Sequence, residues 1–285
     1  MLSRLARIGS DVVARVTDPD ALPLVYFATV PNVGDLLNPY MLHKMTGRKI
    51  VRAQSDIRNH IRAVGSVLGS ASPRSFIWGS GSIDGKPPRK AVDPTRIFAL
   101  RGEGTLALCR ERFGLQKAVP LGYPAILMPL LYDPAVESRH RVGLVPHFLD
   151  FDFVSGIANG LDGVTVLDVR QEVELFVDNL KQCQFVMSSS LHGLILADSY
   201  GVPNSWVKFT SDLTGDRWKF EDYFSTTDSK DNPRITITDR DSLQKTTDRL
   251  MIDAIVRAPT SDSTELRGAL DELLRAFRND RVRAA

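Results

Sequence analysis

The chain has 285 residues, 43% of them hydrophobic and 25% charged, an ordinary globular composition with enough length for two domains. Its 36 Lys and Arg residues nearly balance 34 Asp and Glu residues, and the net charge of +2 argues against a nucleic-acid-binding protein. The two cysteines, Cys109 and Cys183, lie far apart without metal-ligand spacing. We therefore predict reduced core thiols, no metal site and no nucleic-acid partner.

The N-terminal stretch has short apolar runs interrupted by arginines at positions 2–15, and it lacks the continuous apolar segment of a signal peptide. No later segment approaches the ~20 apolar residues that cross a membrane. This pattern predicts a cytoplasmic protein whose first helix packs on its body. Peripheral contact of that helix with the inner face of the membrane is the alternative.

The first half opens with a strand, a loop and a helix. Residues 24–30 are rich in β-branched and aromatic side chains, as in a strand, and residues 36–45 have the apolar spacing of a helix. The loop between them contains Asn32, Gly34 and Asp35 at the carboxyl end of the strand, where ligands bind in α/β folds. These residues are candidates for binding sugar hydroxyls, and the alternative is a turn that only caps the helix.

A further strand, predicted at residues 96–100, ends at Arg101 and precedes a predicted helix at residues 106–113. An arginine at this point directs its guanidinium toward the crevice of an α/β sheet, and its fork of donors suits a carboxylate or phosphate. The alternative is a salt bridge to Glu103 or Glu111.

A charged stretch containing proline follows residue 132 and marks a linker, after which strands and helices alternate again. The next predicted strand, at residues 142–147, ends at His147. Residues 215–224 interleave aromatic and basic side chains, among them Arg217 and Lys219. Such a segment either flanks a cleft and binds an anionic or sugar ligand, or packs one face and exposes the other.

The βαβα order in both halves predicts an α/β protein with two Rossmann-like domains that face each other across a cleft. The predicted domains are residues 1–138 and residues 139–285.

Residues 185–204 read as an apolar strand, a turn of three serines and a helix that opens on a histidine. The hydroxyls of Ser188, Ser189 and Ser190, together with backbone N–H groups at the helix start, can hold a phosphate or carboxylate. His192 lies in the first turn, where its side chain could reach the same anion and move a proton. The alternative is a serine-capped helix whose histidine is only a hydrogen-bonded surface residue.

Five short motifs stand out in chain order: Asn32-Val33-Gly34-Asp35, Trp78-Gly79-Ser80-Gly81, Ala99-Leu100-Arg101-Gly102, Gly122-Tyr123-Pro124-Ala125 and Ser188-Ser189-Ser190-Leu191-His192-Gly193. Together they resemble the polysaccharide pyruvyl transferase family, most nearly its exopolysaccharide branch, over about residues 26–223. Two positions depart from the family pattern. Ser190 stands where many members have arginine, and Tyr123 stands where they often have aspartate.

The resemblance implies a fold similar to GT-B glycosyltransferases, with phosphoenolpyruvate as donor and no cofactor. It implies that the acceptor is a hydroxyl pair of an exopolysaccharide sugar, free or lipid-linked, which becomes a pyruvate ketal. On this hypothesis His192 is the general acid/base and Arg101 an anion clamp. The second domain is then the donor side, with candidate residues Ser188, Ser189, Ser190, His147, Arg217 and Lys219, and the first is the acceptor side, with Asn32, Gly34 and Asp35.

Two other functions are consistent with the same predicted fold. A glycosyltransferase that uses a nucleotide-sugar would need a pocket for base and ribose, and no segment clearly supplies one. A catalytically silent saccharide-binding protein is consistent with the departures at Ser190 and Tyr123.

Overall fold

The computed structural model describes residues 18, 20–53, 58–210, 215, 217–228, 234–252, 256–260 and 262–284, with only the backbone described at 281–284. The helix predicted within residues 2–15 lies outside this set. The described part forms two five-stranded parallel sheets with flanking helices, so the predicted α/β class is confirmed. No helix in the described ranges is both long and apolar enough to cross a membrane.

The first sheet is built from short parallel strands in the first half of the chain. They are β1 (Leu22–Leu24), β2 (Ile50–Arg52), β3 (His60–Arg62), β4 (Ser75–Trp78) and β5 (Ile97–Ala99). Their spatial order is β2-β1-β3-β4-β5. The flanking helices are α1 (Val33–Thr46) and α2 (Glu103–Phe113), and a 3₁₀ segment follows at Pro124–Leu130.

The second sheet has the order β10-β9-β8-β6-β7. Its strands are β6 (His140–Val145), β7 (Val164–Val166), β8 (Cys183–Ser188), β9 (Asn204–Lys208) and β10 (Ile235–Thr236). The helices of this half are α3 (Phe151–Ala158), α4 (Val173–Lys181), α5 (Leu191–Ser199), α6 (Trp218–Phe224), α7 (Arg240–Ile252) and α8 (Ser263–Ala284), with a 3₁₀ turn at Phe148–Asp150.

The predicted strand at residues 24–30 is wrong in extent, because β1 ends at Leu24. All three residues of β1 are buried, whereas Phe27 is 46% exposed. The aromatic-rich residues after the strand therefore form a loop instead of extending the sheet. The helix after them runs from Val33 to Thr46 and ends at Gly47, whose φ of 66° is the left-handed conformation that glycine favours.

The two halves are in close contact at the start of α1 and along the last helix. The N–H of Val33 donates a hydrogen bond to the carbonyl of Val169 in the second half. The C-terminal helix α8 packs on the first sheet, where the indole N–H of Trp78 donates to the carbonyl of Leu266 at 2.8 Å. The proposed division into residues 1–138 and 139–285 stays a prediction.

Candidate active site

A cleft of about 390 Å³ lies where loops from the carboxyl ends of both sheets meet. The first sheet contributes the loops after β1, β3 and β4, and the second contributes those after β6 and β8. In parallel sheets these edges are where loops bring polar groups together. The lining residues are Phe27, Asn32, Asp35, Gly65, Ser66, Val67, Ile83, His147, Phe148, Leu149, Ser189, Ser190, Leu191, His192 and Lys219.

The three serines after β8 have different surroundings. Ser188 is buried outside the cleft lining. Its hydroxyl lies within hydrogen-bonding distance of two backbone carbonyls and accepts from the N–H of Ser190 at 3.0 Å, so it shapes the turn. The hydroxyl of Ser189 accepts from the N–H of His147 at 2.9 Å, which ties the two loops together. Ser190 is the N-cap residue of α5, yet its side chain makes no capping hydrogen bond. Ser189 and Ser190 therefore line the cleft, and Ser188 supports them.

His192 lies in the first turn of α5 and is held on two sides. Its Nε2 lies 2.5 Å from the hydroxyl of Tyr123. On the other side, a Cβ added to Gly34 would overlap the imidazole ring, so only glycine leaves room for it. Gly34 belongs to the first half of the chain and His192 to the second. The ring is therefore positioned by contact between the two halves.

Burial and positive charge keep both cleft histidines neutral at neutral pH. Burial, with added repulsion from Lys219 and Arg101, lowers the pKa of His192 to about 3. Burial and Lys219 lower the pKa of His147 to about 4. The pKa of the Tyr123 phenol is raised well above its ordinary value, chiefly by burial, so this group keeps its proton. The hydroxyl can consequently donate to Nε2 of the neutral ring.

The loop before α1 supplies the opposite wall of the cleft. The side chain of Asn32 caps the helix by accepting from the N–H of Gly34 at 2.9 Å, as the capping alternative predicts, while the residue also lines the cleft. Asp35 follows in the first turn. Burial raises the pKa of its carboxyl to about 7, although a backbone hydrogen bond from Phe27 opposes the shift.

Arg101 is fully buried behind the cleft and is not one of its lining residues. Its Nε donates to Asp222 at 2.8 Å, its Nη1 to the Ser66 hydroxyl at 2.6 Å and its Nη2 to the carbonyl of Ser82. The predicted alternative of a salt bridge to Glu103 or Glu111 is wrong in its partner, because Arg101 pairs with Asp222 instead. Ser66 does line the cleft, so its hydroxyl connects Arg101 to the cleft.

The two basic residues of the aromatic segment separate in space. Lys219 lines the cleft, and its charge lowers the pKa of both neighbouring histidines. Arg217 is exposed and forms an ion pair with Glu221 at 3.0 Å, one turn further along α6. Of the two, Lys219 is the cation placed to meet an anion in the cleft.

The sequence indicates no role for two residues of this region. Tyr123 stands out there only as a departure from the family pattern, and its contact with His192 depends on the fold. Asp222 gave no signal, because its partner Arg101 is 121 positions away. A Cβ at Gly81 would overlap the Arg101 guanidinium, so this glycine leaves room for the arginine.

The fold and cleft define an α/β protein of two parallel sheets with a two-sided polar site suited to an anionic ligand and proton transfer. The sequence profile described as polysaccharide pyruvyl transferase matches residues 98–208, a span that contains Arg101, Tyr123, His147 and His192. The chain belongs to the polysaccharide pyruvyl transferase family.

Among similar proteins, an uncharacterized protein of Acanthamoeba polyphaga mimivirus is 31% identical over 209 residues, covering 70% of this chain and 72% of the viral protein. A crystal structure of a functionally uncharacterized protein from Klebsiella pneumoniae aligns with a TM-score of 0.42 and 10% identity over 76% of this chain and 92% of that one. The solution structure of the Escherichia coli RcsC C-terminus gives a TM-score of 0.27 and 11% identity over 83% and 94% of the two chains. Both scores are too low to define the fold.

Proposed function

We propose that this protein transfers the pyruvyl group of phosphoenolpyruvate to a hydroxyl pair of an exopolysaccharide sugar, forming a pyruvate ketal. The observation that carries the proposal is the cleft itself. A lysine, two neutral histidines and a serine turn line one side of it, and an amide and a carboxyl line the other. This division matches an anionic donor that meets a polyhydroxyl acceptor. The two sheets then form a GT-B-like pair of domains around the site.

The second half of the chain supplies the donor side. Phosphoenolpyruvate carries a phosphate and a carboxylate, so its site needs cationic and hydroxyl donors. Lys219 provides charge, and the hydroxyls of Ser189 and Ser190 lie at the start of α5, where the helix dipole is positive. Because Ser190 replaces the arginine of many family members, Lys219 has the larger share of the charge neutralisation. Arg101 acts from behind, through its bond to Ser66 and its positive field.

The first half supplies the acceptor side. Asn32 and Asp35 offer polar groups to sugar hydroxyls, while Phe27, which is 46% exposed, offers apolar surface to the face of a sugar ring. His192 enters the reaction in its neutral form, and its Nε2 accepts from the Tyr123 hydroxyl, so the two groups form a hydrogen-bonded pair. A proton lost by an acceptor hydroxyl can therefore be taken up at this pair.

The test is a turnover assay with the purified full chain. Phosphoenolpyruvate is incubated with free and lipid-linked galactosides and glucosides, and released phosphate is measured alongside the new ketal methyl signal by NMR. A parallel reaction contains nucleotide-sugars. We expect phosphate and ketal to appear together from phosphoenolpyruvate. Turnover of nucleotide-sugars alone would contradict the proposal, and saccharide binding without any turnover would indicate a silent binding protein.

Substitution of the central histidine gives a sharper form of this assay. We expect His192→Gln to lose about 10²–10⁴-fold in rate, the contribution of a general acid or base. His43→Gln is the matched control, because His43 is an exposed histidine on α1 outside the cleft. A His192→Gln rate equal to that of the control would show that His192 is structural.

A further inference from the structure

We propose that Asp35 is the catalytic acid that delivers the proton to the methylene carbon of the donor. The inference rests on the proposed function and assigns the step that pyruvyl transfer needs first. In that reaction a carbon atom must be protonated, and the group that does so must hold its proton at neutral pH while facing the donor. Few groups in the cleft could act as this acid, and their positions and surroundings distinguish them.

The position of Asp35 is fixed by contacts across the cleft. It lies in the first turn of α1 and lines the cleft that His192 and Lys219 line from the other half. The two residues before it are held: the N–H of Val33 donates a hydrogen bond to the carbonyl of Val169, and Gly34 packs directly against the His192 ring. The Asp35 carboxyl is therefore carried on a segment that is clamped against the donor side.

The surroundings of the carboxyl favour its protonated form. Two buried aspartates of the second half, Asp198 and Asp222, each form an ion pair with an arginine, and a third, Asp150, accepts from the Thr210 hydroxyl at 2.8 Å. Within the described residues Asp35 has no such pair, and a backbone hydrogen bond from Phe27 is the interaction that favours its charged form. Burial dominates and raises its pKa to about 7, so the carboxyl is part protonated at neutral pH.

The histidines are less suited to this step. His192 and His147 have pKa values lowered to about 3 and 4, so at neutral pH neither is an imidazolium that can give a proton to carbon. The His192 ring is also engaged by Tyr123 at Nε2 and packed against Gly34. Lys219 is the lining cation that suits the donor phosphate and carboxylate. Asp35 is left as the acid, and His192 as a base.

The two groups together account for every proton in the reaction. Asp35 gives its proton to the methylene carbon, which becomes a methyl group, while the first sugar hydroxyl bonds to the adjacent carbon and its proton returns to the Asp35 carboxylate. The bond from that carbon to the phosphate oxygen then breaks. The second hydroxyl bonds to the same carbon, and its proton passes by way of His192 to the departing phosphate. One proton ends on carbon, one on phosphate, and both residues are restored.

Asp35→Asn tests the assignment, because the amide keeps the shape and can still accept from the Phe27 N–H while losing the acidic proton. We expect kcat to fall about 10²–10⁴-fold while the dissociation constant for phosphoenolpyruvate changes less than threefold. The wild-type rate should fall as pH rises above about 7, where the acid is deprotonated, and this limb should be absent from the residual activity of the variant. Asp241→Asn, in the exposed first turn of α7, is the matched control.

The outcomes separate the two proposals. If the wild-type protein releases no phosphate from phosphoenolpyruvate with any acceptor, the proposed function is wrong. If the wild type is active and Asp35→Asn, folded by circular dichroism and still binding phosphoenolpyruvate, keeps a rate within threefold of the Asp241→Asn control, the role of Asp35 alone is overturned. Retention of the alkaline limb in the variant would overturn it as well.

Discussion

Two polar clusters stand at the carboxyl ends of strands in this protein, and they differ in how fully their charges are paired. Behind the cleft, Arg101 is bound by Asp222, Ser66 and Ser82, and the Asp222 carboxylate also accepts from the N–H and hydroxyl of Thr105. In the cleft, Asp35, His147 and His192 are shifted toward their uncharged forms. The first cluster resembles a structural network, and the second a reactive site.

The comparison shows that Arg101 and His192, which lie in similar sequence motifs after a strand, have different roles in the protein. A buried charge with its hydrogen bonds satisfied contributes mainly to the stability of the fold around it. A buried titratable group whose pKa is shifted toward its uncharged form contributes reactivity, often at the expense of stability. Substitutions in the two clusters should accordingly separate, with stability lost in one and rate lost in the other.

The largest expected effect on stability is that of Arg101→Ala. Its removal leaves the Asp222 carboxylate buried without its ion-pair partner, so we expect a loss of about 3–5 kcal/mol in the free energy of unfolding. Urea denaturation followed by circular dichroism measures it. Arg217→Ala is the matched control, since its pair with Glu221 is exposed on α6 and worth about 0.5 kcal/mol or less. Equal losses in the two variants would break the comparison.

The cleft histidines should make the protein sensitive to acid. Their pKa values lie near 3 and 4 in the folded protein and near 6.5 when exposed, so as pH falls below about 6.5 the unfolded chain binds protons that the folded cleft does not. Stability should therefore fall between about pH 6.5 and pH 3. In the double variant His147→Gln, His192→Gln this fall should be smaller, as measured by urea denaturation across that range. If the double variant and the His43→Gln control showed the same pH dependence of stability, the two cleft histidines would not be buried in their neutral form.

The smallest expected effect on stability is that of Tyr123→Phe. It removes one hydrogen bond to Nε2 of His192 and should cost about 0.5–1.5 kcal/mol of unfolding free energy. Since the neutral ring loses the donor that favours it, the pKa of His192 should rise, which NMR titration of the imidazole measures. The catalytic rate should also fall. Loss of stability without a change in the histidine pKa would show that the hydroxyl does not act on His192.

Much of this architecture follows from local sequence pattern. The alternation of β-branched runs with helical apolar spacing predicts the parallel sheets, and the segments around α1, β8 and α5 lie close to their predicted bounds. Position in the chain also places Asn32 and His192 at strand ends that line the cleft. These features depend on residues near one another in sequence, where periodicity and turn chemistry act.

The parts that escape prediction depend on contacts between distant residues. The pairing of Arg101 with Asp222 and that of Tyr123 with His192 join positions 121 and 69 apart. Nothing local marks Asp222 as the partner, and the raised pKa of Asp35 follows from its burial in the folded protein. For the same reason the sequence indicates only a turn at Gly34, whereas in the structure this glycine leaves space for the imidazole ring of His192.

The central claim is that the cleft holds an anionic donor through Lys219, and calorimetric titration of phosphoenolpyruvate tests it most directly. A charge-assisted hydrogen bond contributes about 1.5–3 kcal/mol, so Lys219→Met should raise the dissociation constant about 10- to 100-fold. Lys245→Met, which removes an equal charge from the exposed surface of α7, should bind like the wild type. Equal affinities of the wild type and Lys219→Met would contradict the account.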